Sequence, residues 1–253
     1  MLNTKIEDNI MVVTFTNGKT NSITKKSLDD LKEAVVKANQ ENSIKGIILT
    51  GQERFFSSGF DLYTFMGFEK LSDAVDFISY ADEVFLELFL CSKPVVCAIN
   101  GHAAAGGLIL AMASDYRIVV NHPKIKLGMS EIKIGVPLSV AQSAIMRFGL
   151  DSDKKFRDVM YFGDMVDVPT ALKKEIVDEI VEADELIGRA KSIISTWFDT
   201  PGRPFSRIKE ELKKDTADRI KKRMSETDWH HTLNCFFNPQ VKEALAFVQS
   251  RME

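Results

Sequence analysis

The stretch Ile99-Asn-Gly-His-Ala-Ala-Ala-Gly-Gly-Leu-Ile-Leu-Ala-Met-Ala113 constrains the fold more than any other. Pro94 to Asn100 reads as a buried strand that ends there. Asn100-Gly101 is a turn dipeptide that readily takes positive φ. An apolar helix from about Ala105 to Ala113 follows, as in an α/β core. Gly106 and Gly107 fall in its first turn, where backbone N–H groups have no intrahelical acceptor. A glycine there admits a ligand atom close to the backbone and leaves the N–H uncovered at the positive end of the helix dipole. That is half of an anion or oxyanion site. Tight steric packing accounts for the same glycines, and this stretch alone leaves both readings open.

The rest of the chain narrows the setting. Its 253 residues suit one large domain, or one domain with a small appendage. A net charge of −3 gives no pull toward nucleic acid or an anionic membrane. No apolar run reaches the ~20 residues of a membrane helix. Met1 to Asp8 is polar, without the apolar core of a signal segment, and Gln249 to Glu253 carries no peroxisomal or retention signal. The expectation is a cytoplasmic protein. Cys91, Cys97 and Cys235 are too few for a disulfide framework, and the first two read as buried thiols. Four histidines without ligand spacing point to no metal site.

In chain order, Ile10–Thr16 reads as a strand, Asn17-Gly18 as a turn, 24–40 as an amphipathic helix and Lys45–Thr50 as a strand. Strand, helix and strand imply a crossover. A long helix spans Ser72–Leu90, and its Asp82, Glu83 and Glu87 read as a solvated face. Strands follow at Tyr116–Asn121 and Ile125–Leu127, then a helix over Ser139–Phe148. Past residue 150 helices dominate, at about 184–198, 204–222 and 239–252. Ile208, Leu212 and Ile220 form an apolar stripe that suggests packing on a neighbouring subunit.

Gly51 to Leu62 is the second informative stretch. It is loop-like, and Ser57-Ser58-Gly59 at its bend can present successive N–H groups outward. An ordinary surface loop capped by serine has the same look. Paired with the Gly106 turn, it supplies a second N–H at Phe60, and two converging N–H groups suit a thioester oxygen becoming an enolate. Here the sequence resembles the crotonase, or enoyl-CoA hydratase/isomerase, family. Arg54-Phe-Phe-Ser-Ser-Gly-Phe-Asp-Leu62 is similar to the family's first oxyanion loop and Ile99 to Gly107 to its second. Ser114-Asp115-Tyr-Arg, Glu175–Val181 and Phe236–Phe247 extend the likeness.

The resemblance implies an α/β fold, a crotonase-like spiral of ββα turns over 1–195 with a C-terminal helical trimerisation region over 196–253. It implies a homotrimer or hexamer. It implies an acyl-CoA thioester as substrate, with CoA part of the substrate rather than a separate cofactor. Phe60 and Gly106 are then the oxyanion donors. Ser58, Gly59, Asp61 and Leu62 line the CoA and acyl path, and Lys19 stands where the family often contacts CoA.

The carboxylates suggest which reaction. Hydration is easiest with two carboxylates, one to orient water and one to move the proton. The first acid of family hydratases falls at Ile109 here, on the face of Gly106 and expected to point into the pocket without acid-base capacity. The second is present as Glu131, in Gly128-Met-Ser-Glu131, a form similar to Δ3,Δ2-enoyl-CoA isomerases. Burial beside Ile109 and Met129 is expected to raise the Glu131 pKa. One base and no water would move a double bond from position 3 to position 2. A hydratase would need a replacement acid, for which Glu83 or Glu87 is the candidate. A non-catalytic acyl-CoA-binding protein is the third reading.

Overall fold

The computed structural model describes residues 1–252. A hairpin opens the chain. β1 (Leu2–Glu7) pairs antiparallel with β2 (Ile10–Phe15) across Asp8-Asn9, both at positive φ as a two-residue hairpin turn requires. β1 was not expected. Its central residues are all exposed, so it carries no alternation of apolar and polar residues.

Thr24 caps α1 (Lys25–Gln40) by accepting the Ser27 N–H, and Leu28, Leu31, Ala34, Val35 and Ala38 form its buried face as their spacing predicts. The helix crosses over to β3 (Gly46–Gly51), parallel to β2. Three circuits then follow one plan. β3 runs into β4 (Phe55–Ser57), α2 (Leu62–Met66) and the long α3 (Leu71–Phe89). β5 (Val95–Ile99) runs into β6 (His102–Ala104) and α4 (Gly106–Ala113). β7 (Tyr116–Val120) runs into β8 (Leu127–Gly128), α5 (Glu131–Ile134) and α6 (Val140–Gly149).

Each circuit lays one strand in a six-stranded sheet, ordered β1-β2-β3-β5-β7-β10, and one in a four-stranded sheet, ordered β4-β6-β8-β9. It then returns through helix. This is the spiral of ββα turns expected from the sequence. All five residues of β5 are buried between parallel neighbours β3 and β7, hence its unbroken apolar run. α7 (Asp153–Met160), β9 (Met165–Val166), α8 (Val168–Lys173) and β10 (Glu179–Val181) complete the two sheets.

α9 (Leu186–Phe198), α10 (Phe205–Glu226), α11 (Trp229–Leu233), a 3-10 turn at Asn234–Phe237 and α12 (Pro239–Met252) follow. α10 departs from the expected stripe. Ile208 and Leu212 are exposed on this chain, and its buried residues are Lys209, Lys213, Ala217 and Ile220. Asp115 is the reason. Its carboxylate takes Lys209 Nζ at 2.6 Å and Lys213 Nζ at 2.8 Å while also accepting the Val95 N–H. Two buried lysines one turn apart thus form the inner face of α10, a pattern that hydrophobic periodicity cannot register.

Candidate active site

The two glycine-bearing loops meet. An added Cβ on Gly59, at φ +96°, would lie 2.6 Å from Ala105 Cβ and 2.9 Å from Gly106 N. Only glycine permits that approach. Ser57 sets the bend, accepting the Gly59 N–H on Oγ and donating to the Asn21 carbonyl. Asn100 ties the loops together behind, accepting the Gly51 N–H and donating to the Phe55 carbonyl. The expected positive φ at Asn100-Gly101 is absent. Gly101 is needed for space, since a Cβ there would lie 2.3 Å from the Arg54 carbonyl oxygen.

Ala105 takes the positive φ instead, at 52° with ψ −128°, immediately before α4. Such a conformation costs on the order of 1–3 kcal/mol for a residue with a Cβ. The Phe60 ring lies 3.4 Å from where a Gly106 Cβ would stand. The bridge between Ile23 and Phe60 uses the Gly59 carbonyl and the Asp61 N–H, leaving the Phe60 N–H out. Gly106 opens its helix, so its N–H has no acceptor within α4. Phe60 and Gly106 are therefore adjacent, each with a backbone N–H unused by the local fold.

Glu131 begins α5, 8% exposed, and its Oε2 finds no hydrogen-bond partner among the described residues. Burial pushes the carboxyl up to about 7, as expected in direction. It lines one cavity with Ser58, Phe60 and Leu62 of the first loop and Ala105 of the second. Ile134, Val136, Pro137 and Leu138 add an apolar wall, and Ser139 and Gln142 a small polar patch. Ala105 also donates its N–H to the Gly128 carbonyl, linking the second loop to the strand that leads to Glu131. Ile109, three residues after Gly106 on α4, is 1% exposed and belongs to the buried core.

Asp61 caps α2, accepting the Thr64 N–H and hydroxyl, so it shapes the loop by holding the helix start. Lys19 is an exposed residue of the turn before Asn21. His102 accepts the Lys126 N–H on Nδ1 from within β6. The two replacement acids lie elsewhere. Glu83 is exposed, Glu87 pairs with Lys32 at 3.4 Å, and both border a groove with Val35 and Val36 of α1.

Asp82 is the residue that sequence reasoning missed. It is fully buried, not on a solvated face. Its Oδ1 accepts the Ser139 hydroxyl at 2.5 Å and Gln142 Nε2 at 3.3 Å, and its Oδ2 accepts the Ala141 N–H. Burial raises its carboxyl to about 7 despite these donors. The signal was present: Ile78, Asp82 and Phe85 fall at i, i+4 and i+7, so Asp82 lies on the apolar face of α3.

Both raised carboxyls bind their proton more tightly in the folded chain than in the unfolded one. Their protonated forms favour the fold, so this contribution falls as pH rises from about 4 to about 7. Melting temperature is expected to decline with pH over that range. A Glu131→Gln, Asp82→Asn double variant should decline less, and parallel melting curves across the series would sink the assignment.

Comparison with known proteins decides the family. The sequence matches the family described as Enoyl-CoA hydratase/isomerase over residues 5–251. The chain belongs to the enoyl-CoA hydratase/isomerase family. It is 29% identical over 217 residues to the mitochondrial enoyl-CoA delta isomerase 1 of Rattus norvegicus, covering 85% of this chain and 74% of that protein. Its fold is similar to human mitochondrial Δ3,Δ2-enoyl-CoA isomerase, with a TM-score of 0.90 at 23% identity over 99% of this chain and 97% of that one. An enoyl-CoA hydratase from Bacillus halodurans is also similar, with a TM-score of 0.84 at 22% identity over 97% and 99% of the two chains. The family's crotonase fold is thus shared by proteins named for two different reactions.

Proposed function

We propose that this protein moves the double bond of an enoyl-CoA thioester from position 3 to position 2, with Glu131 as acid and base. The observation that carries this reading is the composition of the cavity. Among the described residues lining it, Glu131 is the one carboxylate, and its Oε2 is free to meet a substrate. The Phe60 and Gly106 N–H groups receive the thioester oxygen. That contact acidifies C2 and stabilises the enolate formed there. The Glu131 carboxylate takes the C2 proton, the electron pair spreads to C4, and the protonated carboxyl returns the proton to C4. A carboxyl titrating near pH 7 suits both halves of this cycle. The chain's likeness to a rat protein named an enoyl-CoA delta isomerase supports the same reading. Lys19 is assigned to CoA on its charge.

Hydration is disfavoured by the surroundings of Glu131. Ile109 stands where hydratases carry their first acid, and Glu83 and Glu87 face away from the cavity. Asp82 does not line the cavity and meets it only through Ser139 and Gln142. Purified protein should convert 3-hexenoyl-CoA to the conjugated 2-enoyl thioester, read by its absorbance. It should form little 3-hydroxyacyl product from 2-hexenoyl-CoA. Rapid hydration of the second substrate would overturn the isomerase assignment.

A further inference from the structure

The C-terminal segment forms part of the cavity wall. Leu233, the last residue of α11, and Phe236, in the 3-10 turn, both line it and are nearly inaccessible. Phe236 stacks into an aromatic cluster. Its ring centroid is 4.8 Å from Phe65 and 5.5 Å from Phe68, and Phe65 is in turn 5.5 Å from Phe60. α12 holds the segment down by packing on α2 and α5, the two helices that flank the candidate site. The cavity is small, about 50 Å³. That is room on the order of four water-sized groups.

We propose that Phe236 is a specificity-determining residue that restricts this site to short-chain enoyl thioesters. This rests on the proposed isomerase reading and adds the substrate class. Phe236 blocks the space that the distal carbons of a longer chain would enter. A long chain must displace it, breaking contacts with Phe65 and Phe68. Each extra methylene a hydrophobic pocket must exclude or accommodate changes selectivity by about tenfold or more.

The test compares trans-3-hexenoyl-CoA with trans-3-dodecenoyl-CoA in the unmodified protein, Phe236→Ala and Phe236→Leu. It also measures calorimetric binding of saturated hexanoyl-CoA and dodecanoyl-CoA. The unmodified protein should favour the six-carbon substrate by at least about tenfold in kcat/KM. Phe236→Ala should shift that ratio toward the long chain by a similar factor, with Phe236→Leu intermediate. The leucine variant retains an apolar plug, so it keeps the comparison valid if alanine weakens the fold. Equal use of both lengths by the unmodified protein, or an unchanged ratio in both variants, overturns the proposal. The binding data separate the two claims. A six-carbon binding preference that Phe236→Ala removes, without isomerisation of either thioester, upholds the length limit and rejects the isomerase.

Discussion

Glu131→Gln is expected to lower kcat/KM for 3-hexenoyl-CoA isomerisation by on the order of a thousandfold, while hexanoyl-CoA binds about as before. Glutamine keeps the shape and apolar contacts of the side chain and removes the base. On the proposed mechanism the unmodified enzyme should also show a rising limb in its pH–rate profile near pH 7, because the carboxylate form would take the C2 proton and burial holds the Glu131 pKa at about 7. A residual rate within tenfold of the unmodified protein would move the base elsewhere, and Asp82, acting through Ser139, is the group to examine next. Binding intact with activity abolished would also reject a purely ligand-binding role for the scaffold.

The largest effect on stability should come from Asp115→Asn. Lys209 and Lys213 side chains are 5% and 3% exposed, and both point their ammonium groups at this carboxylate. Burial already pulls the Lys213 pKa down to about 8, with Asp115 opposing the fall. Removing the countercharge leaves buried cations uncompensated, which destabilises by about 3–5 kcal/mol. For a chain of this size that is a drop of roughly 10 °C in melting temperature. Adding Lys209→Met and Lys213→Met to the Asp115→Asn variant should restore much of the loss, because the charges that need the carboxylate are then gone. A melting temperature unchanged by Asp115→Asn would mean that water reaches this cluster.

The residues most legible in the sequence were those whose structure is set locally. The run from Val95 to Ala113 announced a buried parallel strand and an enclosed helix. Glycines at 59, 106 and 107 marked where backbone must meet backbone. Glu131 was found by its place in a motif, and the direction of its pKa shift by its apolar neighbours. What escaped depends on contacts far along the chain. β4, β6 and β9 have two or three residues each, too few for a period, and form only because the spiral brings them side by side. α2, α5 and α7 are equally short or polar. Asp82 and the two lysines of α10 are charged residues in buried positions, so polarity hid them until their partners, Ser139 and Asp115, were placed.

The route by which Leu233 and Phe236 reach the cavity bears on when this protein becomes competent during its synthesis. Both glycine-bearing loops and Glu131 precede the C-terminal helices in the chain. The α10 lysines bind a carboxylate nearly a hundred positions earlier, and Leu233 and Phe236 arrive later still. A nascent chain halted before them lacks two of the apolar residues that wall the Glu131 cavity, which leaves that cavity more open to water. The cavity is thus laid out early in the chain and completed late, by the last stretch of sequence to line it.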